Sequence, residues 1–395
     1  MGLPNNTVST RLQSLDVYRG ATMLFMASEI MRIPRVAHQW GAESGFWRFI
    51  EFQTSHVAWS GWSVWDMIQP SFMFMAGVAL PWSIASRLGR GDRPMQLWLH
   101  ALWRSFLLVA LGIFLRSTGK QQTYFTFEDV LTQIGLGYPF LFALGFASMR
   151  VQAMAAGAVL LGYWAWFAVF PAPGADYPWT AVGVPADWPH HLQGFASHWD
   201  KNSNPAHFFD VWFLNLFPRE KPFLFNGGGY LTLNFVPSLA TMIFGLLAGG
   251  VLRSGVPDRV RRLVMYGMAG LVLGWGLDTL GIAPMVKRIW TPGWAIFAGG
   301  FTTLVLAGVY WMVDVQGWRK WTFPFHVVGM NSIAMYVLVH LIDGFLAESL
   351  KIHLGRAVFE FFGTALAPVV QGAAVLTLLW MMLLWMYRRK IFLRI

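Results

Sequence analysis

Stretch after stretch of this chain runs apolar for the roughly 17–25 residues that a helix needs to cross the hydrocarbon of a bilayer. About ten such spans can be read, near 21–37, 64–86, 98–116, 129–148, 152–170, 234–252, 263–282, 293–313, 324–347 and 365–387. Inside lipid every backbone N–H and C=O must be satisfied within the protein, which leaves helices as the natural form for spans of this length. Charged residues make up 12% of the chain and hydrophobic residues 56%, against roughly 25% charged in a soluble protein. The pattern predicts an all-α polytopic transmembrane bundle of about ten spans, one domain over residues 1–395. The first span is the shortest, interrupted by Glu29 and Arg32 and ending near Pro34.

A formal net charge of +10 invites a nucleic-acid reading, but the positions of the basic residues suggest another. Arg87, Arg90 and Arg93, then Arg253, Arg259, Arg261 and Arg262, then Arg319 and Lys320, and finally Arg388, Arg389, Lys390 and Arg394 fall on alternate loops. Lys and Arg collect on cytoplasmic loops, so both termini are expected in the cytoplasm and no nucleic acid is implied. Arg32, Arg35, Arg48, Lys287 and Arg288 are exceptions on the outer side. With no cysteine in the chain, disulfides, thiolate chemistry and Cys-ligated zinc are excluded. Residues 1–20 are polar and lack the apolar core of a signal peptide, so the first helix is expected to act as an uncleaved anchor.

The segment at about 171–233 is expected to face outward. A connection this long is usually functional or disordered, and Trp188, Phe195, Trp199, Phe208, Phe209 and Trp212 argue against disorder. Its rings suit either a membrane interface or the face of a sugar. His190, His191, His198 and His207 match no familiar zinc spacing, and no metal is expected.

Polar groups inside a bilayer are costly and mark function by default. His56 stands at the mouth of an apolar helix, with Asp66 and Gln69 further in. An imidazole titrates near neutrality and serves as a base; the plainer alternative is a helix-end histidine bonding a carbonyl. Asp66 can orient that ring, bind an ammonium, or simply tie helices together. Glu29 can act as base or ligand, or pair with Arg32 one turn on. Asp16 and Arg19, three apart, are expected to pair with each other.

The runs Arg11-Leu-Gln-Ser-Leu-Asp-Val-Tyr-Arg-Gly20, His56-Val-Ala-Trp-Ser-Gly61, Asp66-Met-Ile-Gln-Pro70, Trp103-Arg-Ser-Phe-Leu-Leu108, Gly329-Met-Asn-Ser-Ile333 and Tyr387-Arg-Arg-Lys-Ile-Phe-Leu-Arg-Ile395 resemble, in order, a family. It is that of the membrane acyltransferases typified by heparan-α-glucosaminide N-acetyltransferase and its bacterial relatives. The resemblance implies a transmembrane transfer of acetyl from cytoplasmic acetyl-CoA to a glucosamine-type amino sugar on the far side. The histidine at the position of His56 is the family's catalytic residue, as acyl carrier or as base. Asp66 and Glu29 would orient it or the acceptor. Family members often carry asparagine late in the first helix, where this chain reads Ala27-Ser28-Glu29-Ile30.

Arg104 would meet CoA phosphates or pair with a carboxylate such as Asp66. Asn331, Ser332 and His340 would line the acyl-CoA channel or join helices by hydrogen bonds. Asp210, Asn226 and Asn234 would offer hydroxyl or amine ligands at a sugar-binding rim. Asn226-Gly-Gly-Gly-Tyr-Leu-Thr-Leu-Asn234 resembles a bacterial branch, hence a bacterial-type inner membrane; a homodimer is a family expectation. The rival functions are a permease for amino sugars or N-acetyl sugars, an O-acyltransferase of envelope polysaccharide, and a subunit without activity.

Overall fold

The computed structural model describes residues 12–41 and 44–393. Arg11 of the first motif, and Arg394 and Ile395 of the last, lie outside the described residues. Among the described residues ten helices reach fifteen residues or more: α1 Gln13–Ala27, α2 Ile68–Leu88, α3 Pro94–Ser117, α4 Val130–Leu144, α5 Met149–Val169, α6 Phe235–Arg253, α7 Arg259–Thr279, α8 Pro292–Tyr310, α9 Ser332–Leu354 and α10 Ala367–Arg388. No named strand occurs among these residues; Ser60 and Val286 form an isolated antiparallel bridge.

The starts of the helices follow local chemistry. Asp129 caps α4 by accepting from the N–H groups of Leu131 (2.9 Å) and Thr132 (3.2 Å), as an N-cap carboxylate should. Proline opens α3 and α8, where its missing N–H costs nothing.

Among the described residues seven helical runs, which include α2, α3, α5, α6, α8, α9 and α10, are long and apolar enough to cross a membrane. α4 is apolar but only 15 residues long. α7 carries Arg259, Arg261, Arg262 and Asp278. The protein therefore reads as a multi-pass membrane protein.

Two expected spans differ in outline. The first starts earlier and stops earlier than 21–37. Leu15, Val17 and Tyr18 are buried and belong to α1, and after Met31 the chain turns through Arg32 at φ +50°. The left-handed Arg32 breaks the run, and a separate helix, Ile33–Gly41, follows with Pro34 in its first turn. The span at 324–347 is broken. A short helix Phe323–Met330 stops at Asn331, whose backbone leaves the helical region, and α9 begins anew. The Asn331 side chain is spent on the returning C-terminal segment, donating to Ile391 O (3.0 Å) and accepting from Leu393 N–H (3.1 Å).

Helix α6 lies at the centre. In its most apolar window 72% is buried within the protein, against 17% for α9, so α9 offers most of its surface to lipid. Without water to drive association, helices in lipid meet closely where residues are small. A Cβ on Gly77 of α2 would collide with the Met242 carbonyl of α6, and one on Gly245 of α6 with the Phe74 carbonyl of α2. Gly20 and Gly329, both in the motifs quoted above, form a second such contact: a Cβ on either would strike the Phe325 or Asp16 carbonyl.

The 171–233 segment is folded over one end of the bundle. Trp199 and Leu231 pack with Trp59, Tyr163, Phe167, Val286 and Ile289 in one buried cluster. Trp212, Phe195 and Phe208 remain exposed.

Candidate active site

His56 lies in an irregular connection held on two sides. Trp59 donates its indole N–H to Trp199 O (3.2 Å), and Gly61 N–H reaches Met285 O (2.9 Å). Gly61 sits at φ +111°, a conformation that glycine adopts freely. The chain thus doubles back over residues 57–64 before α2. Asp66 comes up against the imidazole itself, rather than below it as a helix starting at residue 57 would have it.

His56 Nδ1 lies 2.7 Å from Asp66 Oδ1, and Lys287 Nζ lies 3.2 Å from the same oxygen and 3.1 Å from Nδ1. The other oxygen, Oδ2, accepts from Val57 N–H (3.2 Å), Ser63 N–H (3.3 Å) and Ser63 O–H (3.0 Å). The closer contact assigns the tautomer: an acceptor Nδ1 would suit the Lys287 ammonium at 3.1 Å but would face the carboxylate lone pair against lone pair at 2.7 Å, so we assign the proton to Nδ1, donated to Asp66, with Lys287 held by the same carboxylate. In the neutral ring Nε2 then holds the free pair. Asp66 is 1% exposed and Lys287 7%; buried charges survive only as such pairs. Burial pushes the Lys287 ammonium below its ordinary range, and the Asp66 charge opposes that shift.

The imidazole opens onto a chamber of about 360 Å³ that Glu29, Gln69, Arg116, Glu128, Tyr230 and His340 also line. A second cavity, about 510 Å³, is lined by Arg19, His100, Arg104 and Ser332. Phe72, Val130 and Tyr336 line both, so the two spaces meet at those side chains. A third, about 580 Å³, lies between residues 29–32, α9 and α10, and shares Glu29 and Val339 with the chamber. The chamber thus adjoins both other cavities.

The structure therefore brings His56, Asp66, Glu29 and His340 to one place. His340 stacks on Tyr336 with centroids 4.3 Å apart, its Nδ1 on the Tyr336 carbonyl (2.8 Å). Glu29 forms no ion pair with Arg32; both line the third cavity. Arg104 stands in the second cavity over the ring of Tyr138 (4.6 Å) and donates to its hydroxyl (3.2 Å). Its partner is thus a phenol and not Asp66, and its buried Nε has no acceptor among the described residues. Arg19 pairs with Asp16 at 3.5 Å.

The remaining sequence candidates lie apart from the chamber wall. Asn331 is fully buried on the C-terminal backbone. Asp210 accepts from Thr232 N–H (2.9 Å), and burial raises its carboxyl to about 7. Asn234 donates to Arg288 O (2.7 Å). Asn226 bonds the Glu128 carboxylate and accepts from Gly228 N–H (2.8 Å) and Tyr230 N–H (3.2 Å). Asn226 therefore braces two residues that do line the chamber. His191 is occupied by Asp200 (3.1 Å) and His198 by Phe170 O (2.7 Å).

Sequence reasoning passed over Lys287, Glu128, Arg116 and Tyr230. For Lys287 a signal existed: Lys287-Arg288 breaks the positive-inside pattern, and an outer cation beside an apolar helix asks for a carboxylate.

No family model matches the chain. It is 25% identical to human heparan-alpha-glucosaminide N-acetyltransferase, over 98% of this chain and 60% of that protein. The mouse protein of the same name is 22% identical, over 98% of this chain and 61% of its own length. The chain thus spans about three fifths of the length of these curated relatives. The similarity to these two N-acetyltransferases is distant and extends over nearly the whole of this chain.

Proposed function

We propose that the protein moves an acetyl group from cytoplasmic acetyl-CoA to a glucosamine-type amino sugar on the outer side of the membrane. In this reading the chain crosses ten times, with both termini in the cytoplasm and the 171–233 segment outside, in a bacterial-type inner membrane. One observation carries the proposal: the His56–Asp66–Lys287 triplet faces a chamber that adjoins, through Phe72, Val130 and Tyr336, a cavity lined by cations. That second cavity suits the phosphates of a CoA donor. Arg104 offers a buried guanidinium nitrogen with no acceptor among the described residues, and Arg19 and His100 line the same cavity. CoA, when bound, supplies the acetyl as a thioester.

The residues' own work follows from geometry. Asp66 holds Nδ1–H, which leaves Nε2 as the reacting atom. An amine attacks only when neutral, and Nε2 either takes the amine's proton or first accepts the acetyl. In both routes a C–N bond replaces the C–S bond, and the amine's proton ends on sulfur. Glu29, which lines both the chamber and the third cavity, would attract an incoming ammonium.

The test is incubation of the purified protein with labelled acetyl-CoA and a panel of amino sugars, wild type beside His56→Ala. Wild type should label an amino sugar. The variant should lose transfer by at least ~10³-fold while inserting and melting normally. Near-normal transfer by the variant refutes the assignment.

A further inference from the structure

We propose that Tyr230 is a catalytic residue of this transfer, its phenolic O–H donating a hydrogen bond to the acyl carbonyl oxygen as that oxygen gathers negative charge. The proposal rests on the reading of His56 given above. Attack on a thioester pushes the carbonyl electron pair onto oxygen, and a fixed donor at that point is commonly the largest single contribution to catalysis. As the pair returns the C–S bond breaks, and sulfur leaves to receive the amine's proton.

Gln69, Arg116 and His340 also line the chamber, but the donors around the Nδ1 edge of His56 are already engaged. Lys287 is engaged with Asp66 on the Nδ1 edge of the imidazole, away from Nε2. The N–H groups of Val57 and Ser63 are spent on Asp66 Oδ2. Tyr230 differs in two respects. Its hydroxyl has no hydrogen-bond partner among the described residues, although the side chain lines the chamber. Its ring is also held firmly. The Arg288 guanidinium lies 5.2 Å over it and also donates to Val57 O (3.3 and 3.4 Å) and Gly228 O (2.9 Å). One guanidinium therefore fixes the phenol relative to the residue next to His56. Tyr230 N–H is tied to Asn226 (3.2 Å), which also bonds Glu128. Burial pushes the phenol above its ordinary range, helped by the Asp66 and Glu128 charges, so the O–H persists at any working pH.

Tyr230→Phe deletes the hydroxyl and keeps the ring under Arg288. Wild type, His56→Ala and Tyr230→Phe are compared for kcat, KM for acetyl-CoA, CoA binding by titration calorimetry in detergent, and melting temperature. Tyr230→Phe should lower kcat about 10²-fold, with KM, CoA affinity and melting unchanged. A kcat within threefold of wild type overturns the proposal, as does a fall matched by lost CoA binding or a lower melting temperature. Inactive wild type would sink the functional reading itself. Active wild type with a dead His56→Ala and a fully active Tyr230→Phe would remove Tyr230 alone.

Discussion

Replacing Asp66 by asparagine changes one atom and, by the geometry of the site, should disable it. Asp66 accepts five hydrogen bonds: Oδ1 from His56 Nδ1 and Lys287 Nζ, and Oδ2 from Val57 N–H, Ser63 N–H and Ser63 O–H. Asparagine has only one acceptor oxygen. Two of the Oδ2 donors are backbone groups that cannot turn away, so the amide oxygen takes that side. Its NH₂ then faces Nδ1 and the lysine. Nδ1 must become an acceptor, and the ring proton moves to Nε2. The chamber now sees N–H where it saw a free pair, and neither proton removal nor acyl uptake can begin. For an imidazole held in the wrong tautomer the expected fall in kcat is roughly 10³–10⁴-fold.

Stability falls for a separate reason. Lys287, 7% exposed, loses its anionic partner Asp66; breaking a buried pair this way costs about 3–5 kcal/mol. A second substitution, Lys287→Met, removes the stranded charge. The double variant should recover most of the melting temperature lost by Asp66→Asn and none of the activity. The assay is labelled acetyl transfer at saturating donor, with thermal unfolding in the same detergent. If Asp66→Asn keeps more than a tenth of wild-type kcat, the tautomer argument fails. If the double variant regains activity together with stability, Asp66 acts only as a brace.

Two further expectations concern residues away from the imidazole. Arg104→Met removes the guanidinium from the second cavity and should weaken CoA binding about tenfold or more, as loss of a charge-assisted contact does; calorimetric affinity equal to wild type would argue against a phosphate there. Asp210 is a carboxyl that burial raises to about 7 from an ordinary 3.8, so folding favours its protonated form. Stability from this group is greatest at low pH and declines as pH rises from about 4 to 7, by a few kcal/mol at most, on the order of 1.4 kcal/mol per pH unit. Asp210→Asn, which keeps an acceptor for Thr232 N–H, should therefore raise the melting temperature at pH 8 and flatten the slope below pH 7. An unchanged slope would show that the carboxyl is solvated.

Much of the architecture was legible because lipid permits so few answers. Each of the ten expected segments overlaps a long helix, and seven of those helices are long and apolar enough to cross a membrane, since a run of apolar residues in hydrocarbon must hydrogen-bond to itself. The errors of outline fall where a local feature outweighs hydropathy. Arg32 takes a left-handed backbone, and Asn331 trades helical continuity for the Ile391 and Leu393 backbone. The motif glycines Gly20 and Gly329 stood out in the sequence as resemblance alone, and their physical reason, a close crossing of two helices, appears only in three dimensions.

The site was legible in part, and the division follows from what sequence can encode. His56 and Asp66 are ten residues apart and share one motif; their contact needs only a local reversal of the chain. Lys287 lies 231 residues from His56, and nothing near it in sequence announces a partner. Yet the two halves demand each other. A carboxylate 1% exposed that accepts both an imidazole and three further donors would, without a cation, be a buried net charge. The positive-inside rule marks Lys287 as out of place for the same reason that burial marks Asp66 as unpaid: each charge is tolerable only beside the other. An outer-side lysine that violates the charge pattern of a polytopic chain is therefore best read as one half of a pair, and the search for its carboxylate leads directly to the chamber.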